Sequence, residues 1–265
     1  MLLAYDGGDF RGWQKQKDGR TVQGVLEEAL FEITGQPQPI IGAGRTDAGV
    51  HATGQVAHFD TSWIHSLIAL RQALNSLLPR EVAVRAVELA PRGFHARHSA
   101  TARSYRYTLL ESPVRQPLRR RTTFHLRQTL DVERMQRAAT VLVGQHDFGG
   151  FGRPMTPGGP TQRRMEHVRV SRRGDEIHIE LRANAFLRHQ VRRTVGLLVD
   201  VGRAKREVEE VKAVLERSPS APVPWRAPAQ GLVLEAVHYP PDEEIECMRS
   251  LEGRNHEEQY QNLRA

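Results

Sequence analysis

Three short stretches hold most of the residues whose types could do chemistry. The first, Gly42-Ala43-Gly44-Arg45-Thr46-Asp47-Ala48-Gly49-Val50-His51-Ala52, is built of small residues around one arginine and one carboxylate. Backbone can approach Asp47 from several sides there, and Arg45 two residues away favours its ionised form. A dinucleotide fingerprint fails, because Asp47 stands where the third glycine belongs. A phosphate loop fails for want of Gly-Lys-Ser/Thr. Two uses remain: an ionised carboxylate for nucleophilic or base chemistry, or an Asx turn that only shapes the loop. The turn is the commoner fate of an aspartate in such a setting, and residue types alone do not promote Asp47 to a catalyst.

The second stretch, Ala100-Thr101-Ala102-Arg103-Ser104-Tyr105-Arg106-Tyr107, interleaves arginine and tyrosine at strand spacing. Alternation puts Arg103, Tyr105 and Tyr107 on one side, where guanidinium groups can meet phosphates while a ring stacks on a base. The competing arrangement is a half-buried strand whose tyrosines pack under arginine stems. The third stretch carries Arg188, His189, Arg192 and Arg193 in the otherwise apolar sequence around 183–198. As a helix it would pair Arg188 with Arg192 and His189 with Arg193 on shared faces, usually the wet side. An inward arginine there would need a carboxylate, which makes Asp47 the partner to look for. His95, His98, His146 and Asp147 lack a third ligand at convincing spacing, so no metal site is expected.

These segments need a scaffold. Helical periodicity predicts helices over 21–34 behind Thr21, over 62–78 with Leu67, Leu70, Leu74, Leu77 and Leu78 inward, from Asp131 to Gly144, over 185–201, and over 207–217 before Ser218 and Pro219. Strand-like runs cover 2–5, 39–42, 55–59, 82–89, 104–110, 166–172, 177–182 and 232–238; Ile177, Ile179 and Leu181 alternate with Glu176, His178 and Glu180 as in a sheet with one wet face. The expected class is α+β, with antiparallel sheets in two halves of similar build. A breaker-rich segment at 111–117 divides them into residues 1–110, which carry the Asp47 loop, and residues 111–240. Residues 241–265 form an acidic tail that is a candidate for disorder. The Gly- and Pro-rich loop at 149–160, followed by Arg163 and Arg164, is long enough to be either functional or disordered.

Charge narrows the partner. The formal +7 over 265 residues is an average of a tail at −4 (239–265) and a body at +11, and residues 85–127 hold ten arginines against two glutamates. Such density attracts phosphate backbones or acidic membranes. Cys247, the single cysteine, permits no intrachain disulfide and no Cys-x-x-Cys metal site, and no apolar run is long enough for a signal core or a membrane span. A cytoplasmic protein is the expectation.

The stretch Gly44 to Ala52 resembles the tRNA pseudouridine synthase A family. Tyr5-Asp6-Gly7, Gly12-Trp13-Gln14, Gly54 to Phe59, Phe94-His95-Ala96-Arg97, Ala100 to Tyr107, Gly144 to Phe151, Ala183 to Gly196 and Gly231-Leu232 fit the same pattern in the same order, so the resemblance spans roughly 1–239. It departs at Ser104, where arginine is common, at Gln190, where methionine is common, and in the tail.

The resemblance implies an isomerase that converts uridine to pseudouridine at positions 38–40 of the tRNA anticodon stem-loop by base flipping, without cofactor or metal. It implies a homodimer gripping tRNA, each half a ferredoxin-like, RNA-recognition-type unit with the catalytic cleft between halves. Asp47 then matches the catalytic aspartate. Tyr105 matches the tyrosine that stacks on the target base, Arg45 a residue that stabilises the flipped state or fills the space it leaves, and Arg192 a basic partner that keeps Asp47 ionised and aimed. Leu187 and Phe186 would close the apolar side of the pocket. Arg97, Arg103, Arg106, Arg163 and Arg188 are expected on the RNA backbone.

Overall fold

The computed structural model describes residues 1–216, 223, 225–243 and 245. Cys247, the end of the fifth expected helix with its Ser218-Pro219 stop, and all but the first residues of the acidic tail lie outside them.

The chain runs twice through the same order of elements. The first unit is β1 (Leu2–Tyr5), α1 (Val22–Thr34), β2 (Ile41–Gly42), β3 (His51–His58), α2 (Leu67–Leu77) and β4 (Val82–Ala86). The second is β5 (Ala102–Glu111), the short β6 (Phe124–Leu126), α3 (Val132–Val141), β7 (Gly144–Asp147), β8 (Gln162–Arg173), β9 (Glu176–Ala183), α4 (Gln190–Gly202), α5 (Val208–Glu216) and β10 (Leu232–His238). Strand order along the sheet is β4-β1-β3-β10-β5-β9-β8-β7, with β2 on β3 and β6 on β5. With β6, β7 and α5 set apart as additions to the second unit, each is a βαββαβ module in which the last strand neighbours the first and the third follows, β4-β1-β3-β2 and β10-β5-β9-β8. The repeat that sequence similarity is too weak to show is plain in topology. Strand order groups β5 with the second unit, so the repeat begins at Ala102, ahead of the 110/111 division expected from the breaker-rich segment.

The units share one sheet. Its pairings are antiparallel except for β5 with β6 and the seam between β3 and β10, where Val233 faces His51 and Leu234 faces Ala52. The seam demands close approach, because a Cβ on Gly54 would lie 1.9 Å from Glu235 O. Leu26 and Leu30 of α1 are fully buried, and Leu70 and Leu74 of α2 nearly so, in the first unit's core; Leu109, Met135, Ile177, Ile179, Val195 and Leu198 are buried in the second's. Helix starts follow local chemistry: Thr21 Oγ1 accepts from Gly24 N at 3.2 Å and Asp131 Oδ1 from Arg134 N at 2.8 Å, while Gly35 closes α1 at φ 70.

Several expectations change. The second helix begins at Leu67, capped by the Ser66 hydroxyl, and Leu77 on its last turn is 45% exposed while the turn at Pro79 brings Leu78 in. His178, expected on a wet face, is buried and bonded to Glu176 at 2.6 Å. The fourth helix begins at Gln190 instead of 185, because Asn184 Oδ1 holds Ala185 N, Gln190 Oε1 holds Leu187 N, and Arg188 pairs with Arg153 through backbone. Arg188 O, which a longer helix would give to Arg192 N, is spent on Arg153 N, and His189 at φ 67 leaves the helical region. Short β6 and β7 carry too little periodicity to be seen in sequence.

Gly54→Val is expected to cost about 1–3 kcal/mol by forcing apart β3 and β10; denaturant unfolding reads this directly, and an unchanged midpoint would mean the seam tolerates a side chain.

Candidate active site

Asp47 sits in the loop between β2 and β3, and backbone fixes that loop on every side. Trp13 N donates to Thr46 O at 3.1 Å, Val50 N to Asp47 O at 3.1 Å, and Gln55 Nε2 to Gly44 O at 2.7 Å. Tyr5 and Thr46 share a 2.8 Å hydroxyl bond beneath it, and burial pushes the Tyr5 phenol up to about 12. Gly12, at φ 96, is required where it stands, since a Cβ there would come within 2.7 Å of Thr46 O. The loop is thus a rigid mount, well beyond what an Asx turn supplies.

The groups that face Asp47 come from the other unit. His189 Nδ1 lies 2.8 Å and Arg192 Nη1 3.1 Å from the same oxygen, Oδ2. Arg192 is aimed by its own Nε, which donates to Ala227 O at 2.7 Å. Oδ1 accepts no hydrogen bond from a described residue, which leaves one oxygen of a held carboxylate available. The side chains of Asp47, His189 and Arg192 are 23%, 20% and 14% exposed, so the ion group is shielded yet reachable. Burial lowers His189 below the ordinary imidazole range, opposed by its bond to Asp47 and reinforced by Arg226 and Arg188. At neutral pH the ring is therefore neutral, and its Nδ1–H donates to Asp47.

Tyr105 lies beside this group on β5, only 8% exposed, with Phe186 edge-on to its ring at 5.2 Å and 87°. Burial raises its phenol well above the ordinary range, and the Asp47 charge adds to the rise. Gly44 leaves room above it, a Cβ there lying 3.9 Å from the Tyr105 hydroxyl. Leu187 is buried against Gly152, where a Cβ would meet Leu187 Cβ at 2.7 Å. Phe186 thus packs on Tyr105, while Leu187 packs against Gly152. Arg45 is exposed at the loop's rim.

The arginines expected on the RNA backbone divide. Arg97 and Arg188 are exposed. Arg106 is engaged by Glu235 at 3.1 Å, and Arg163 is half-buried with Nη1 on the carbonyls of Pro160 and Gln162. Arg103 is a correction: it is 8% exposed, and its guanidinium donates to Ala43 O, Arg97 O, Ala100 O and Asn184 O at 2.6–3.1 Å. Four of its five N–H donors are spent on those carbonyls, so it works as an internal clamp. For Arg103 the half-buried strand was the right alternative. Arg188 and His189 precede α4 rather than riding on it.

His189 escaped the sequence because a continuous helix would turn it toward Arg193. Its backbone takes φ 67, a left-handed conformation rare for a non-glycine residue, and that turn swings the ring onto Asp47. No pattern in the sequence announces it. Among the described residues no group of three or more His, Cys, Asp or Glu is placed to hold a metal, and no helix is long and apolar enough to cross a membrane. A cavity of about 730 Å³ lined by Arg115, Arg120, His125, Arg127 and Gln230 contains none of the residues around Asp47, so the site is identified by its ion group and not by cavity size.

A held carboxylate beside a buried tyrosine, with exposed arginines nearby, is an arrangement suited to chemistry on a polyanion. The sequence profile described as tRNA pseudouridine synthase matches residues 1–99 and 138–240. The chain is 43% identical over 246 residues to the tRNA pseudouridine synthase A of Syntrophotalea carbinolica, covering 93% of this chain and 98% of that one. It is 44% identical over 238 residues to that of Pseudoalteromonas atlantica (90% of each chain) and 40% identical over 240 residues to that of Aliivibrio salmonicida (91% and 92%). The chain belongs to the tRNA pseudouridine synthase family, isomerases that convert uridine to pseudouridine.

Arg192→Gln is expected to lower kcat on the order of 10²-fold by freeing Asp47 to swing, with Arg192→Lys recovering only part of it. The neutral His189 ring contributes stability that is present above its unfolded value of about 6.5 and lost as pH falls through its lower folded value. His189→Asn, which keeps a donor but cannot titrate, should therefore flatten the acid limb of the stability profile; an unaltered limb would mean that His189 does not titrate in this window.

Proposed function

We propose that this enzyme isomerises uridine at positions 38–40 of the tRNA anticodon stem-loop, with Asp47 as its catalytic carboxylate. The observation that carries the reading is the ion group itself: Oδ2 of Asp47 is held from two directions while Oδ1 is left open. The reaction breaks the N1–C1′ bond, turns the detached uracil, joins C5 to C1′, and moves a proton from C5 while N1 gains one. Attack on C1′, addition to the base and removal of a ribose proton all ask for the same thing, an ionised carboxylate with one free oxygen at the sugar.

The other residues divide the remaining work. A uridine in a stacked stem must be extruded, at a cost of a few kcal/mol. Arg45 on the loop rim is placed to stabilise the extruded state or fill the gap. Tyr105, Phe186 and Leu187 retain the free base against escape, with the Tyr105 ring as its stacking surface. Arg97 and Arg188 meet backbone phosphates, which position the RNA without reading its sequence. The tRNA is held across a homodimer in the cytoplasm, and the chemistry draws on no cofactor or metal.

Chemical mapping of pseudouridine in an anticodon stem-loop transcript incubated with the protein tests this. New pseudouridine at 38–40 is expected from the parent and none from Asp47→Asn, which should still bind the transcript. Product formation by Asp47→Asn, or intact binding by the parent without product, would overturn the proposal.

A further inference from the structure

Four arginines from three chain segments meet around the start of α4, and none is paired with a carboxylate among the described residues. Arg153 and Arg188 are locked side by side by a two-way backbone bridge, Arg188 N to Arg153 O at 2.9 Å and Arg153 N to Arg188 O at 3.3 Å. Arg193 follows Arg192 on the first turn of α4. Arg226 is drawn to the same place, because Ala227 N donates to Arg192 O at 3.0 Å while Arg192 Nε donates back to Ala227 O. None of the four side chains makes a hydrogen bond or ion pair with a described residue, and Arg193 Nε is buried with no partner. The arginines feel one another: after burial, Arg226 and Arg153 are what disfavour the charged form of Arg193.

This arrangement is unlike the other arginine-rich parts of the surface. Arg119 is paired with Asp175 and Glu176, Arg121 with Asp6 and Asp9, and Arg182 with Glu166. Here Asp47 is the carboxylate at hand, and its bonded oxygen is already shared by His189 and Arg192. A group of uncompensated like charges costs free energy in the unliganded protein, and an anion relieves it. The positive end of the 13-residue α4, whose N-cap His189 spends its side chain on Asp47, adds to the field.

We propose that Arg153, Arg188, Arg193 and Arg226 bind the phosphodiester linkages next to the target uridine and so hold its ribose over Asp47. Three of the four are exposed along a rim and only Arg193 is half-buried, a spread suited to successive phosphates on one strand more than to a single small anion. The cluster adjoins the ion group directly, since Arg188 precedes His189 and Arg193 follows Arg192. It also gives the Gly- and Pro-rich loop after β7 a task, the delivery of Arg153 to the strand. The inference rests on the proposed function for its substrate.

The test compares binding of an anticodon stem-loop RNA across a salt series for the parent, Arg153→Gln/Arg226→Gln and Arg188→Gln/Arg193→Gln. Each lost single-strand phosphate contact removes about 0.7 from the slope of log K against log salt, so each double variant should lose about 1.4. KM should rise about tenfold or more with a much smaller change in kcat, the mark of lost uniform binding. RNA with neutral methylphosphonates flanking the target uridine should bind the parent more weakly than native RNA, and the difference should be smaller for each double variant. Unfolding midpoints should hold or rise as repulsion is relieved, and the four single variants repeat the slope measurement at half the charge change. Parental slopes and KM values in both doubles would overturn the inference. A parent that shows the expected slope and phosphate dependence yet makes no pseudouridine would overturn the functional proposal alone.

Discussion

Asp47 belongs to the first βαββαβ unit while His189 and Arg192, which bond its Oδ2 at 2.8 and 3.1 Å, belong to the second, so this ion group exists only while the two units keep register. A carboxylate facing two donors from a different folding unit is a demanding arrangement. A displacement of about 1 Å between the units would break both bonds and the aim they provide. Most of the unusual features of the chain make sense as ways of preventing that displacement.

The shared sheet is the first of them, with β3 and β10 brought so close that only glycine fits at position 54. Arg103 is the second. Its four carbonyl partners are Ala43, which opens the Asp47 loop, Arg97 and Ala100 before β5, and Asn184, which opens the segment leading to His189. One buried cation thereby ties both sides of the ion group to the central strand, its charge met by dipoles in place of a counter-ion. The third is the 227–228 backbone, where Ala227 O aims Arg192 and Pro228 O receives the Tyr107 hydroxyl at 2.7 Å.

Much of this was legible in the residues. Thr21 with Gly35 bounds α1, Asp131 starts α3, and β10 spans Leu232–His238 as its alternation suggests, because caps and period-two patterns are local properties. The α+β class followed from them, and the resemblance carried by Gly44 to Ala52 led to the family. From the residues alone Arg192 beside Asp47 was legible only as a conditional, an inward arginine that would need that partner; the resemblance named the pair outright. Arg103 was ambiguous for a physical reason: an alternating Arg-Tyr strand looks the same whether its marked face meets RNA or the protein interior. His189 was hidden because a left-handed residue at the mouth of a helix is imposed by packing, through Gln190, Asn184 and the Arg153 bridge, and not by its own preference.

The contact between His189 and Asp47 joins the two units at the ion group, and an NMR titration of the His189 ring measures it most directly. In the parent the ring should titrate below the ordinary imidazole value, because burial outweighs the attraction of Asp47. In Asp47→Asn that attraction is gone while burial, Arg188 and Arg226 remain, so the midpoint should fall further. An identical midpoint in the two proteins would contradict the account, since it would mean that the carboxylate and the ring do not meet.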